Sequence, residues 1–247
     1  MRLLTATLCS VLVYPYYRGT VKQISDPKAH PLRLAVFDLD GTLVELEIEH
    51  FVDHAVAVTK SLGYEVSSRE HIRYLMQTHR IEELFPPSER EKAIHAYWHH
   101  YDARQIPAPR LIDGALATLE EMVARGFDLA IATARTIQAE ELKEILRPTG
   151  ITNHIEFLST WWNTGWTQKQ QQLERLCHDH RVEPSQALMV GDSIDDMRSA
   201  QACGFGLRIG LLNGMHHREV LFAAQPHYLV ESVIEVPGVL DRHFITV

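Results

Sequence analysis

From Asp113 onward, apolar runs of strand length alternate with stretches of helical pattern, and this alternation restricts the chain to a parallel sheet with helices on both faces. Strands are predicted over Phe127 to Thr133, Ile155 to Ser159, Ala187 to Gly191, Phe205 to Ile209 and near Tyr228. Helices are predicted between them, from about Ile137 to Arg147, Thr167 to Arg181 and Ile194 to Ala202. An earlier helix, from about Asp113 to Arg125, stops at Gly126. One more strand comes much sooner: the apolar run Arg33 to Phe37 meets Asp38-Leu39-Asp40-Gly41-Thr42 and reads as a buried strand entering a loop. Between Glu45 and about Arg104 only helical patterns occur. The first is predicted from Glu47 to Leu62, ending at Gly63. The second runs from the capping box Ser67-x-x-Glu70 to Phe85, and the third from Ser88-x-x-Glu91 to the Pro107-Ala108-Pro109 linker. The helices therefore interrupt a sheet that has already begun.

A chain of 247 residues has room for such a core and a small insert. Its net charge of −8 opposes phosphate backbones and argues against broad nucleic-acid binding, without excluding a small anionic substrate at a locally positive site. Cys9, Cys177 and Cys203 are too few and too scattered for a disulfide framework or a zinc site. No apolar run reaches the roughly 20 residues needed to span a bilayer. Residues 1–31 stand apart as an N-terminal extension of unknown role. The stretch Leu3 to Val13 has the apolar character of a weak secretory signal, but lacks an evident cleavage site. A cytoplasmic location is expected, with targeting as the alternative.

In an open parallel sheet, ligands sit beyond the carboxyl ends of the strands. There the sequence delivers Asp38 and Asp40 after the first strand, Thr133 after the second, and Asp192 and Asp196 within Gly191-Asp192-Ser193-Ile194-Asp195-Asp196. Lys169 falls near a helix start between these strands. Four carboxylates in one crevice repel one another unless a cation joins them, and oxygen-only ligands favour Mg²⁺. Taken singly, each Asp reads equally as a turn residue or helix cap, and Asp192 with Asp196 as a capping pair.

Together these segments resemble the motifs of the haloacid dehalogenase superfamily. Asp38-Leu-Asp-Gly-Thr-Leu-Val resembles the first motif, Thr133 in Ile-Ala-Thr-Ala-Arg the second, Lys169 the third and Gly191-Asp-Ser-Ile-Asp-Asp196 the fourth. The helical insertion is similar to the small cap of the phosphoglycolate-phosphatase-like branch. The resemblance implies an α/β Rossmann-like, doubly wound parallel sheet with an inserted small α-helical cap domain. The catalytic core would comprise residues 32–44 and 108–247, and the cap residues 45–107. It implies that Asp38 is a nucleophile forming an aspartyl phosphate, and that Asp40 is the acid and base for the leaving group and water. Thr133 and Lys169 would bind the phosphoryl group, and Asp38, the Asp40 carbonyl, Asp192 and Asp196 would hold Mg²⁺. Arg135, just after Thr133, is expected to contact substrate or to pair with an acid, and His50, near the cap entrance, to face substrate.

The implied activity is a Mg²⁺-dependent phosphatase acting on a small phosphorylated metabolite. Asp40 favours ester chemistry, since dehalogenase members lack that second acid. A phosphomutase, suggested by His50, and a scaffold docking through Trp161, Trp162 and Trp166 or through the N-terminal segment stay open, as does the oligomeric state. Lys169 is followed by Gln170-Gln171-Gln172 rather than a Pro-rich segment, so Lys143 remains its competitor, and Glu45 stands where many relatives have Asp. His50/His54 and His95/His99, each four residues apart, read better as packed or surface histidines than as metal ligands.

Overall fold

The computed structural model describes residues 32–99, 108–164 and 168–245. Six strands form one sheet: β1 (Leu34–Phe37), β2 (Asp128–Thr133), β3 (Phe157–Thr160), β4 (Ala187–Gly191), β5 (Leu207–Leu211) and β6 (Tyr228–Val230). Their order is β3-β2-β1-β4-β5-β6, and every pairing is parallel. The chain starts at the centre, winds to one edge, then returns to build the other half. This is the doubly wound order, with its topological switch beside β1.

The two-residue strand period divides the core. Ala35, Phe37, Leu129, Ile131, Leu188 and Val190 face one layer, packed with Leu119 and Met122 of α4 (Ala115–Ala124), Leu142 of α5 (Ala139–Leu146) and Leu240 of α10 (Val236–Ile245). Leu34, Val36, Ala130, Ala132 and Met189 face the other layer. There they meet Leu173 and Leu176 of α7 (Lys169–His180), Met197 of α8 (Ile194–Cys203) and Leu221 of α9 (Arg218–Ala223). Burial on both faces is why these strands read as continuous apolar runs rather than alternating ones. The short α6 (Trp161–Thr164) follows β3 directly.

Among the described residues, three helices form the insertion between β1 and α4: α1 (Ile48–Ser61), α2 (Arg69–Gln77) and α3 (Arg90–His99). They enclose their own buried cluster of Val52, Ala55, Val58, Ile72, Met76 and Tyr97. The insertion joins the sheet through two neighbouring connections: Val44 bridges Leu111 antiparallel, Glu45 N–H donates to Arg110 O at 2.8 Å, and Ile112 N–H donates to Leu43 O at 3.0 Å.

The second predicted helix is shorter than the sequence pattern implies. Its N-cap is Ser68 rather than Ser67, and the Ser68 hydroxyl accepts from His71 N–H at 3.2 Å. It ends at Gln77, eight residues before Phe85. Arg80 N–H returns to Leu75 O at 2.7 Å and His79 N–H to Met76 O at 3.0 Å, which is the Schellman arrangement. His79 takes the left-handed position, φ 56°, usually held by Gly. With no Gly at that position, the sequence carries no visible stop signal. The chain resumes as a 3₁₀ turn over Ile81–Leu84, pinned by Arg80 bidentate on Glu83 at 2.8 and 2.7 Å.

Helices α9 and α10 have no counterpart in the sequence reading. Pro237 and Gly238 open α10 and look like breakers, but in a first turn proline lacks only an N–H that has no helical partner. The N-terminal extension, the end of the third predicted helix and Trp166 lie outside the described residues. Among the described residues no helix is long and apolar enough to cross a membrane.

Candidate active site

Phe37 pairs in register with Ile131 and with Val190, so β1, β2 and β4 end within two residues of one another on the same edge of the sheet. Asp38 N–H extends the ladder, donating to Val190 O at 2.9 Å. The chain then folds back sharply: Leu43 and Val44 N–H both donate to Leu39 O, at 2.9 and 3.0 Å. Gly41 makes this turn at φ 80°, and a Cβ there would lie 2.3 Å from Asp192 Oδ2. Gly41→Ala is therefore expected to lose about 1–3 kcal/mol of stability and to displace Asp192. Urea denaturation identical to wild type would show that this approach is not tight.

Lys169, the first residue of α7, is the hub of the crevice. Its Nζ donates to Asp38 Oδ1 at 2.7 Å and to Ala132 O at 2.7 Å, and pairs with Asp196 Oδ1 at 2.8 Å. Asp192 accepts from the Thr42 hydroxyl at 3.0 Å and from Met215 N–H at 2.6 Å. Asp196 is divided in its use. Oδ2 completes a capping box with Ser193 at the start of α8, at 3.0 Å from its N–H and 2.7 Å from its hydroxyl, while Oδ1 faces Lys169. The capping expectation thus holds for Asp196 with Ser193, not with Asp192.

Carboxylate oxygens of Asp38, Asp192 and Asp196 lie within 4.8 Å of one another. Burial pushes the Asp38 carboxyl well above its usual range; Lys169 opposes that shift, and Asp196 and Asp192 add to it. Burial, then Asp196, raises Asp192 to about 7. Burial acts against the Lys169 charge, but Asp196 and Asp38 outweigh it and hold the ammonium protonated. One ammonium cannot balance three carboxylates. With all three ionised the residual charge is about −2, and this and the all-oxygen donor set fit a divalent cation such as Mg²⁺.

Asp40 has a different partner. Arg135 grips it bidentately, Nε to Oδ2 at 2.9 Å and Nη2 to Oδ1 at 2.7 Å, with the guanidinium side chain only 3% exposed. The Thr133 hydroxyl accepts from Arg135 N–H at 3.2 Å, and Arg135 O receives Trp161 N–H at 3.1 Å. The residues after β2 and β3 are thereby tied to Asp40.

The sequence matches the haloacid dehalogenase-like hydrolase family over residues 35–207, more than half of its length. The chain belongs to that family. It is 27% identical over 221 residues to a phosphoglycolate phosphatase of Vibrio parahaemolyticus, covering 83% of this chain and 94% of that one. It is 25% identical to a phosphoglycolate phosphatase of Vibrio vulnificus over 225 residues, covering 85% and 96%. Among solved structures, one described as a predicted phosphatase from Clostridium acetobutylicum superposes with a TM-score of 0.68 at 21% identity, covering 86% of this chain and all of that one. That likeness establishes the shared fold.

In this hydrolase the crevice opens into a cavity of about 410 Å³ between the strand ends and the helical insertion. Asp38, Asp40, Thr133, Arg135, Lys169 and Asp192 line its sheet side. Asp196 lies behind Lys169, fully buried. The competing Lys143 is exposed on α5. His50 sits in the first turn of α1, in ring contact with Phe51, and Phe51 rather than His50 lines the cavity. Trp161 meets Trp98 of α3 edge-on at 5.3 Å, and Trp162 is half exposed. His54 Nε2 bonds Tyr97 O at 2.6 Å, as expected of a packed histidine. Sequence reasoning passed over Thr42 and Glu82. Thr42 stands inside the first motif and was open to notice; Glu82 had no signal of its own.

Proposed function

We propose that this hydrolase is a Mg²⁺-dependent phosphomonoesterase working through an aspartyl phosphate on Asp38. The observation that carries this reading is the buried Asp38–Lys169–Asp196 arrangement beside Asp192, with a second acid, Asp40, two residues from the first. Phosphatase relatives support it. Asp38, Asp192, Asp196 and the Asp40 carbonyl would hold Mg²⁺, which supplies charge neutralisation for the phosphoryl oxygens when bound.

The chain's own groups account for the remaining steps. A carboxylate oxygen of Asp38 attacks phosphorus and the P–O bond to the alcohol breaks. Asp40 gives its proton to the departing alkoxide. Asp40 then removes a proton from water, whose hydroxide attacks the same phosphorus. Inorganic phosphate leaves and the Asp38 carboxylate is restored. Lys169 and the Thr133 hydroxyl meet the charge on the transferring group. Arg135 aims Asp40 and must loosen one of its two bonds when Asp40 carries the proton.

Residues 45–107 are assigned as a cap that excludes water, moving on the paired connections at Val44 and Leu111. His50, on which the mutase alternative leaned, is not among the cavity-lining residues. Phosphate release from a panel of small phosphomonoesters tests the proposal. Release with Mg²⁺, loss with EDTA and recovery on adding Mg²⁺ back are expected; turnover indifferent to EDTA would overturn the metal assignment.

Metal binding should also depend on pH. In the metal-free protein the raised acids hold protons that the unfolded chain releases above about pH 4, so their contribution to stability falls as pH rises from about 4 through about 7. A divalent ion displaces those protons and binds better as they leave. The gain in Tm on adding Mg²⁺ is therefore expected to be larger at about pH 8 than at about pH 5. Equal gains in thermal melts would count against the cluster as the binding site.

A further inference from the structure

We propose that the substrate is a phosphate ester of a neutral, largely apolar alcohol of ring size, and that esters carrying a second anionic group are disfavoured. This rests on the phosphomonoesterase reading and adds the leaving-group class to it. The cavity is polar on its sheet side, where the phosphoryl group would sit. The helical insertion supplies a different surface: Phe51 from α1, Met76 from α2, Ile81 from the 3₁₀ turn, and Ile94 and Trp98 from α3. The space of about 410 Å³ lies in the range of small-molecule pockets.

Charge makes the selection sharper. Two permanent cations, Lys169 and Arg135, line the cavity among the described residues. Lys169 is bound to Asp38 and Asp196, and Arg135 is committed to both oxygens of Asp40. A carboxylate on the leaving group would take one of them only by breaking these pairs. Among the described residues, the helical insertion adds the carboxylate of Glu82, which repels it further, and the imidazole of His79. A buried anion without a partner is strongly disfavoured, whereas an aromatic or aliphatic body gains from leaving water. The break in α2 at His79 brings this about, because the turn that follows places Ile81 and Glu82 on the wall.

The test compares benzyl phosphate with 2-phosphoglycolate, both esters of simple primary alcohols, in wild type with Mg²⁺. kcat/KM is expected to favour benzyl phosphate by at least about tenfold. Glu82→Lys, which puts a cation on the wall, is expected to shift the ratio toward phosphoglycolate by about tenfold or more, and Glu82→Gln by less. A wild type that prefers phosphoglycolate would overturn this inference and leave the phosphatase standing. A ratio unmoved in both variants would overturn the role given to the wall. If neither ester is turned over, the panel decides the phosphatase reading and binding decides this one. Quenching of the Trp98 and Trp161 fluorescence in Asp38→Asn should show tighter binding of benzyl phosphate; equal or weaker binding than phosphoglycolate would overturn the proposal.

Discussion

Asp38→Asn is expected to lower kcat by at least about a thousandfold while leaving the folded protein as stable as wild type in urea. The activity loss follows from chemistry: an amide has no anionic oxygen to attack phosphorus. The preserved fold follows from charge. Asp38 belongs to a cluster of three carboxylates in which Asp196 and Asp192 raise the Asp38 carboxyl and Asp196 raises Asp192. Its neutralisation relieves that repulsion, and Lys169 keeps Asp196 as a partner at 2.8 Å. Phosphate release and urea melts on the same preparation check both halves. Turnover near the wild-type rate would refute Asp38 as nucleophile. An unfolded variant would instead show that the Asp38–Lys169 pair carries structural weight.

Lys169→Met is expected to do the opposite to stability. Lys169 is the one ammonium bound within the described carboxylate cluster, and its side chain is only 7% exposed. Removing it leaves Asp38, Asp192 and Asp196 buried without a cation, a loss of about 3–5 kcal/mol in the metal-free protein. The loss should be largest at alkaline pH and shrink toward about pH 5, where the acids take up protons instead. Mg²⁺ should restore part of it. kcat should fall by about a hundredfold or more even at saturating Mg²⁺, since the transferring group loses a fixed positive charge. Urea midpoints that do not change with pH would show that the three acids are not electrostatically linked through Lys169.

The contrast between these two variants marks where sequence reading was strong. Asp38 and Asp192 stand directly after β1 and β4, where apolar runs of strand length end, and Asp196 follows in the first turn of α8; the structure brings the three together. A parallel sheet then directs all strand ends to one side. The order of the motifs supplied Thr133 and Lys169. The choice between Lys169 and Lys143 was a matter of space: one heads α7 and reaches Asp38 at 2.7 Å, the other is exposed on α5.

Other features had no local signature. Arg135 was open to substrate or to an acid partner, and the structure holds it on Asp40, 95 residues earlier in the chain. Glu82 and Glu83 are adjacent and chemically identical, yet Glu83 pairs with Arg80 while Glu82 faces the cavity. The helical pattern through Phe85 was real as periodicity, but backbone bonds to Leu75 and Met76 end the helix with a histidine where a glycine would have announced it.

The sequence by itself determined the sheet, its two buried faces and the acids at its strand ends, because periodicity and strand termination are properties of neighbouring residues. Only the tertiary structure decided which acid each cation serves and which side chains form the wall facing the reacting phosphate. Those pairings join residues far apart in the chain, and their energies depend on distance and burial that exist only once the layers have packed.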